Sequence, residues 1–433
     1  STSGHKLISD EAINSIRSKL FPIAKIITPN LPEAEVLISK KISNKNEIKD
    51  ACKYLIDLGP KSVVIKGGHF FDSKISEDIF YDGDAGSGGS LVEALQPHGY
   101  TFERLSLGHK DREDPGAAEC SLGWVWRNRG RVHALHLHWL QGVVSAPTAL
   151  GAWFRFATFA ATMVLARLLG YQIVWTLHNM LPHERAHRGV DVAGRYLMVL
   201  LANSIICHCQ FAADEFGRRF RRRRNMYVIP HGNFRSAYPS TLERDEARSE
   251  IGIDPDAFVY ISFGNIRGYK GHDDMLTAFH QLKGERLRLL VVGQMHYSYS
   301  GPMGQGPLDD PRVMVIEGKV PIDTLQLYFA AADVAVFPYR DALTSGALIT
   351  ALGFGRPVIA THVGCIPELV AESDAGVLLP PGDVQALAEA MAQAQEWDIE
   401  ARSRSAHAIA DRLGWEEIAL QTMEAYGPPR GER

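Results

Sequence analysis

The sequence predicts an α/β chain: two Rossmann-like parallel-sheet domains in tandem, preceded by a smaller α/β fragment. Three observations carry that expectation. Short β-branched runs alternate with stretches of helical period through most of the chain. The 46 basic residues divide unevenly, with 11 Lys and one Arg in residues 1–90 against 4 Lys and 30 Arg in residues 91–433. The Gly/Ser run GDAGSGGS, residues 83–90, falls on that break and has the composition of a flexible linker.

The 433 residues are 45% hydrophobic and 22% charged, which supports a buried core and excludes global disorder. A net charge of −4 gives no global sign of nucleic-acid binding. The five cysteines, Cys52, Cys120, Cys207, Cys209 and Cys365, lack CxxC spacing, so neither a disulfide framework nor a four-ligand zinc site is expected, and a reducing, cytoplasmic setting fits. Cys207-His208-Cys209 offers soft metal ligands, but alternate strand residues face opposite sides. No signal peptide is expected. The apolar stretch from Val143 to Val174 is broken by Arg155 and Arg167, which makes it a poor membrane span.

The first piece reads as a helix over 4–20, a strand AKIIT, helical patterning after Pro32 and Ile48, and a second strand SVVIKGG. Beyond the Gly/Ser run come a helix from Leu91, the strands VHALHLHWL, YQIVWTLHN, SIICHC and MYVIPHGN, and the helices between them. A second alternating set begins at Phe258: FVYISFG, RLLVVGQ, VMVIEG, VAVFPY, PVIAT and AGVLLP. An amphipathic helix over 414–427 closes the chain. The expected boundaries are a fragment over 1–83, a linker over 84–90, domains over 91–245 and 246–413, and a C-terminal helix and tail over 414–433.

Three constellations point to chemistry. In FGNIRGYKG a strand runs into Gly264 and Asn265, followed by Arg267 and Lys270. Strand ends in open α/β sheets bind ligands, and two cations there neutralise a diphosphate. Thr344-Ser345-Gly346 opens a helix, where free backbone N–H groups favour phosphate oxygens, although Ser345 is also a good N-cap. In WTLHNMLPHE a strand delivers His178, able to hydrogen-bond a sugar hydroxyl or stabilise developing charge, with His183 and Glu184 placed to orient an acceptor.

On HLHWL, WTLHNMLPHE, VIPHGN, FGNIRGYKG, LYFAAADVAVFPY, SGALITALGFGRPVIA and GCIPELV, residues 91–427 resemble bacterial retaining glycosyltransferases of the GT-B type, family-4-like, which include sucrose synthases and exopolysaccharide enzymes. The resemblance implies two facing Rossmann domains and a nucleotide-diphosphate sugar as donor. Gly264, Asn265, Arg267, Lys270, Thr344, Ser345, Gly346 and Glu368 would bind that donor. His178 would meet its sugar, with Arg267 and Lys270 the other catalytic residues. His183 and Glu184 would bind a carbohydrate or lipid-linked acceptor, and no metal or other cofactor is required. Two departures stand out. Two glutamates usual in the family are replaced by Ala342 and Thr350, with Asp341 beside the first. A piece that starts at Leu91 also lacks the family's first strand and its Gly-containing loop.

Residues 1–83 resemble a middle fragment of hydroxymethylpyrimidine phosphate kinase, a ribokinase-like enzyme, on AKIITPNLPEAEVL and VVIKGGH. The resemblance places Asn30 and Glu33 near magnesium and ATP phosphates and Lys66 beside the nucleotide. The fragment lacks the family's anion hole and catalytic base, so kinase turnover is not expected. A chimera is expected, in which either βα elements of this fragment complete the first Rossmann sheet, with AKIIT or SVVIK pairing with HALHL, or the fragment is a separate, loosely tethered module whose strands form their own sheet. The cationic run Arg218–Arg224 suits an anionic membrane surface and lacks the aromatic interleaving of a nucleic-acid site. The expected location is cytoplasmic, peripheral to the inner membrane face. The rival expectation is an inactive engineered fusion of a kinase fragment and a truncated transferase.

Overall fold

The computed structural model describes residues 26–27, 31–38, 40, 51, 54–55, 62–63, 77–81, 91–106, 118–140, 146–181, 187–304, 308 and 310–428. The chain divides into two compact units, Ser1–Ile75 and Ser76–Arg433. In the first, β1 (Ile26–Ile27) is followed by α1 (Leu31–Ile38) and pairs in parallel with β2 (Ser62–Val63). These are the two strands read as AKIIT and SVVIK. Among the described residues they form their own two-stranded sheet rather than pairing with HALHL.

The second unit begins with β3 (Glu77–Tyr81), a helical turn over 91–95, β4 (Tyr100–Ser106) and β5 (Ala118–Glu119). Then follow α2 (Leu122–Arg127), β6 (Val132–Leu137), α3 (Ala149–Leu168), β7 (Gln172–Leu177), α4 (Arg188–Leu201), β8 (Ser204–Cys207), α5 (Gln210–Phe220) and β9 (Met226–Val228). The seven strands are parallel in the order β5-β4-β3-β6-β7-β8-β9. Ranked by sequence this is 3-2-1-4-5-6-7, the doubly wound order, whose switch point lies between β3 and β6.

The first strand is therefore present, contrary to the expectation. Glu77–Tyr81 fills the position between β4 and β6, pairing with both. It lies upstream of the Gly/Ser run, inside the stretch assigned to the kinase-like fragment. The strand that pairs with β6 is neither AKIIT nor SVVIK, the two expected to do so. The Gly/Ser run follows β3 in the sequence and precedes Leu91; its own residues lie outside those described.

The next sheet is built from α6 (Arg244–Glu250), β10 (Phe258–Phe263), α7 (His272–Gln281), β11 (Leu287–Gly293), β12 (Val313–Glu317), α8 (Ile322–Ala331), β13 (Val334–Phe337), α9 (Gly346–Gly353), β14 (Val358–Thr361), α10 (Ile366–Val370) and β15 (Gly376–Leu379). Its six parallel strands run β12-β11-β10-β13-β14-β15, the same 3-2-1-4-5-6 order. Central strands β6, β7, β8 and β13 are buried throughout, which is why they read as continuous apolar runs.

Three helices end the chain: α11 (Val384–Ala394), α12 (Ile399–Asp411) and α13 (Trp415–Tyr426). The last returns to the first sheet, packing Ile418, Ala419 and Tyr426 against Ala134, Val174 and Ile206. The crossing is pinned at Asn233, whose side-chain amide donates to the Ala410 carbonyl (2.7 Å) and whose carbonyl accepts from Trp415 Nε1 (2.6 Å).

Candidate active site between the two Rossmann sheets

The FGNIRGYKG loop leaves the C-terminal end of β10 at the switch point of the second sheet. Gly264 has φ +112°, and a Cβ there would lie 2.8 Å from Lys270 Nζ. Gly271 has φ +70°, and a Cβ there would lie 1.9 Å from the Pro338 carbonyl oxygen, so only glycine lets the loop close onto the end of β13. Arg340 fastens the same junction. It donates from Nε (2.7 Å) and Nη2 (2.6 Å) to the two oxygens of Asp274, and its backbone N–H donates to the Tyr269 carbonyl.

Lys270 Nζ sits 5.5 Å from the Tyr339 ring centroid. Burial and the neighbouring Arg267 guanidinium push its amine down to about 8. Tyr339 and Ser345 share a hydroxyl hydrogen bond of 3.1 Å, and Ser345 Oγ accepts from the Leu348 N–H as N-cap of α9. The Ser345 hydroxyl is thus engaged in capping, while the first turn of α9, from Gly346, faces the loop that carries Lys270; a Cβ on Gly264 would touch Ala347. Asn265 is exposed and Thr344 half-buried beside this turn.

The first sheet brings together a row of histidines that the sequence analysis did not assemble. His136, His138, His178, His208 and His231 sit at or just beyond the C-terminal ends of β6, β7, β8 and β9. His138 Nδ1 and His178 Nε2 share a hydrogen bond of 2.9 Å. Trp139 stacks on the His178 ring at 4.5 Å and 11°. His136 bonds Thr176 Oγ1 (2.7 Å) and the Tyr426 hydroxyl (2.9 Å). His208 Nδ1 donates to the Ile229 carbonyl at 3.1 Å, which fixes its tautomer. Burial, reinforced by the other rings, holds His138 and His178 well below the ordinary histidine range; burial alone takes His136, and with His231 takes His208, to about 3. His178 is therefore a neutral imidazole at physiological pH, suited to hydrogen-bonding a hydroxyl. The signal was available: HLH, LHN, CHC and PHG each set a histidine at the end of a strand.

Ring contacts link this row to the start of α9. His178 lies 5.1 Å from His208, His208 5.1 Å from His231, and His231 5.4 Å from Phe234. A Cβ on Gly346 would lie 3.5 Å from the Phe234 ring. Between the sheets opens a cleft of about 600 Å³, lined by Asn179, Phe211, Asp341, His362, Gly364 and Glu368 among others. The missing family glutamates leave no carboxylate at their positions: Ala342 is buried, and Thr350 bonds back to the Gly346 carbonyl within α9. Asp341 is exposed and lines the cleft.

Glu368 is placed otherwise than as a free donor ligand. Its carboxylate accepts from the N–H groups of Gln210 (2.8 Å) and Phe211 (2.6 Å), at the start of α5 on the opposite domain. Beside it, Cys209 and Cys365 form a disulfide. A disulfide was not expected from the sequence; 156 residues separate the pair, and only the facing of two domains brings them together. The Cys207-His208-Cys209 stretch does not converge on a common point: Cys207 is buried in β8 with its thiol pushed up to about 12, and Cys209 is oxidised. His183, Glu184, Asn30 and Lys66 lie outside the described residues. Glu33 falls on α1, with its side chain outside them.

The Phosphomethylpyrimidine kinase family model matches residues 1–96, and that of Glycosyl transferases group 1 matches residues 257–396. The chain thus joins a stretch similar to the phosphomethylpyrimidine kinase family to one similar to group 1 glycosyltransferases. It is similar to a D-inositol 3-phosphate glycosyltransferase of Streptomyces avermitilis, 27% identical over 349 residues, covering 73% of this chain and 70% of that protein. Its first part is similar to a hydroxymethylpyrimidine/phosphomethylpyrimidine kinase of Aquifex aeolicus, 41% identical over 83 residues, 19% of this chain. The chain spans 32% of that kinase's length. Among solved structures, Anabaena HepE in complex with UDP and glucose superposes with a TM-score of 0.58 at 18% identity, over 81% of this chain and 99% of that one. The likeness, which runs over both Rossmann sheets, is one of GT-B fold, and strand β3 lies in the stretch matched by the kinase family.

Proposed function

We propose that the chain transfers a glycosyl group from a nucleotide-diphosphate sugar to a carbohydrate or lipid-linked acceptor, with retention at the anomeric carbon and without a metal. One observation carries the reading: neutral His178 stands at the end of the first sheet, linked through ring contacts to the α9 start beside Lys270. In this reading Arg267, Lys270 and the N-terminal turn of α9 hold the diphosphate, with Gly264, Asn265 and Thr344 shaping its seat. His178 hydrogen-bonds the donor sugar. His183 and Glu184 orient the acceptor.

The bond from the anomeric carbon to the diphosphate oxygen breaks as the acceptor oxygen bonds that carbon on the same face. The acceptor proton passes to the departing phosphate. Lys270 and Arg267 stabilise the charge that builds there, the task a metal has in other sites. Asp341 takes no nucleophilic role in this front-face route. The Cys209–Cys365 disulfide runs against the reducing, cytoplasmic setting expected from the sequence, and the kinase-like stretch contributes β3 without phosphoryl transfer.

The test is turnover of UDP- and GDP-sugars followed by NMR of the product's anomeric signal. Retained configuration, insensitive to chelator, supports the reading; inverted configuration overturns the retention assignment. Lys270→Ala and Arg267→Ala fold but lose turnover, and wild-type rates in either remove the diphosphate assignment. A folded chain that turns over no donor returns the inactive-fusion alternative.

A further inference from the structure

The histidine row of the first sheet holds one pair in direct contact. His178 follows the end of β7, and His138 follows the end of β6, the strand beside it. Both residues are buried, and their rings meet at His138 Nδ1 and His178 Nε2, 2.9 Å apart. A nitrogen-to-nitrogen contact of that length holds a single hydrogen, so one ring donates and the other accepts. Trp139, the next residue along, lies flat on the His178 ring at 4.5 Å and 11°. Two adjacent residues of HLHWL thus engage one edge and one face of His178.

An imidazole can present itself in several ways. A half-turn about χ2 exchanges Nδ1 with Cδ2 and Nε2 with Cε1, and a neutral ring carries its proton on either nitrogen. The stack on Trp139 tolerates the half-turn, which leaves the ring plane unchanged. The His138 bond does not, because the half-turn would set a C–H against His138 Nδ1. The same bond settles the tautomer. With His178 neutral, the hydrogen between the rings decides whether Nδ1, the nitrogen left to meet a ligand, donates or accepts. Other rings of the row are anchored by groups of a different kind. His136 is held by Thr176 and the Tyr426 hydroxyl, and His208 by the Ile229 carbonyl. His178 takes its proton arrangement from another imidazole.

We propose that His138, together with Trp139, is the positioning residue of His178, holding that ring in one orientation and one tautomer with Nδ1 offered to the donor sugar. The role of His178 toward the sugar rests on the transfer reading; the locked ring does not. A group oriented by a second residue is the arrangement that general acid–base and nucleophilic sites use to keep an imidazole productive.

The test joins a spectroscopic and a kinetic measurement. Long-range proton–nitrogen correlation spectra of the full chain with isotope-labelled histidine, at neutral pH, should show His178 as one neutral tautomer, assigned by its loss in His178→Gln. This arm needs neither donor nor a change at His138. In His138→Leu the signals should move to the averaged positions of two exchanging tautomers. His138→Asn, whose amide lies near the former Nδ1 and can donate or accept, should restore the single form. With a donor that turns over, His138→Leu should lower kcat about tenfold or more and change the donor's KM less than about threefold, since Arg267 and Lys270 are untouched. The Asn variant should return kcat to within about threefold of wild type. Averaged tautomers in the wild type, a single tautomer in His138→Leu, or an Asn variant no better than Leu overturns the proposal. If no donor turns over, the transfer reading fails, and the spectra alone decide the lock.

Discussion

Glu368 closes the N-terminus of helix α5 from the opposite domain, its two carboxylate oxygens taking the N–H groups of Gln210 and Phe211. An anion at a helix start satisfies orphan donors and meets the positive end of the helix dipole. Glu368→Ala is expected to cost about 1 kcal/mol of stability, measured by denaturant unfolding. Nucleotide affinity should fall less than about threefold if the carboxylate acts as this clamp. Unchanged stability with lost nucleotide binding would show a donor ligand instead.

The Cys209–Cys365 disulfide lies beside that clamp and ties the same two domains. Reduction is expected to lower stability by about 2–4 kcal/mol. The check is a thermal scan with and without reductant, paired with alkylation and mass analysis. Labelling of Cys209 in the unreduced chain would contradict the bond.

The histidine row imposes a pH dependence with a definite sign. Burial holds His136 and His208 near 3, against an ordinary 6.5. Above 6.5 both rings are neutral folded and unfolded, and their contribution to stability is complete. Below it the unfolded chain takes up protons that the folded chain refuses, so stability falls from about 6.5 down towards 3. Each ring adds up to about 1.4 kcal/mol per pH unit. Unfolding free energies at about pH 7.5 and 5.5 should differ by about 2–3 kcal/mol from these two rings; equal values would contradict their burial.

Lys270 sets a second dependence, on donor binding. With its amine at about 8, the cation is lost above that pH in the unliganded protein. Affinity for a nucleoside diphosphate should weaken above about pH 8, by up to about tenfold per unit. Lys270→Arg should move that limb upward, since a guanidinium stays charged. A flat profile to pH 9.5 would remove Lys270 from the diphosphate.

Strand β3 is the sheet's first strand and lies between two partners. Ile79→Pro removes a ladder donor from a central strand and should cost about 3 kcal/mol or more. Unchanged thermal unfolding would show that the sheet does not depend on it.

Much of the fold was legible in the sequence because buried parallel strands read as apolar runs with glycine or polar residues at their ends. VHALHL, QIVWTL and VAVF became β6, β7 and β13 where expected. EDIFY did not stand out, since it is short, opens on two acidic residues, and is followed by a run that resembles a tether. The Gly264–Gly271 loop was legible as a compact strand-end loop, because its glycines and cations are adjacent in sequence. Glu368, Cys209 and Cys365 were not, because their partners lie more than 150 residues away and exist only once the domains face each other. Arg222 was lost inside a run of identical residues, where composition gives no sign of which side chain turns inward.

The central claim is that the second sheet holds a nucleotide-diphosphate sugar at Lys270 and the start of α9. Isothermal titration of the full chain with a panel of UDP- and GDP-sugars tests it most directly. The account requires saturable binding of at least one donor, weakened by about tenfold or more in Lys270→Ala. A folded chain that binds none of them, or a Lys270→Ala variant that binds as tightly as wild type, would contradict it.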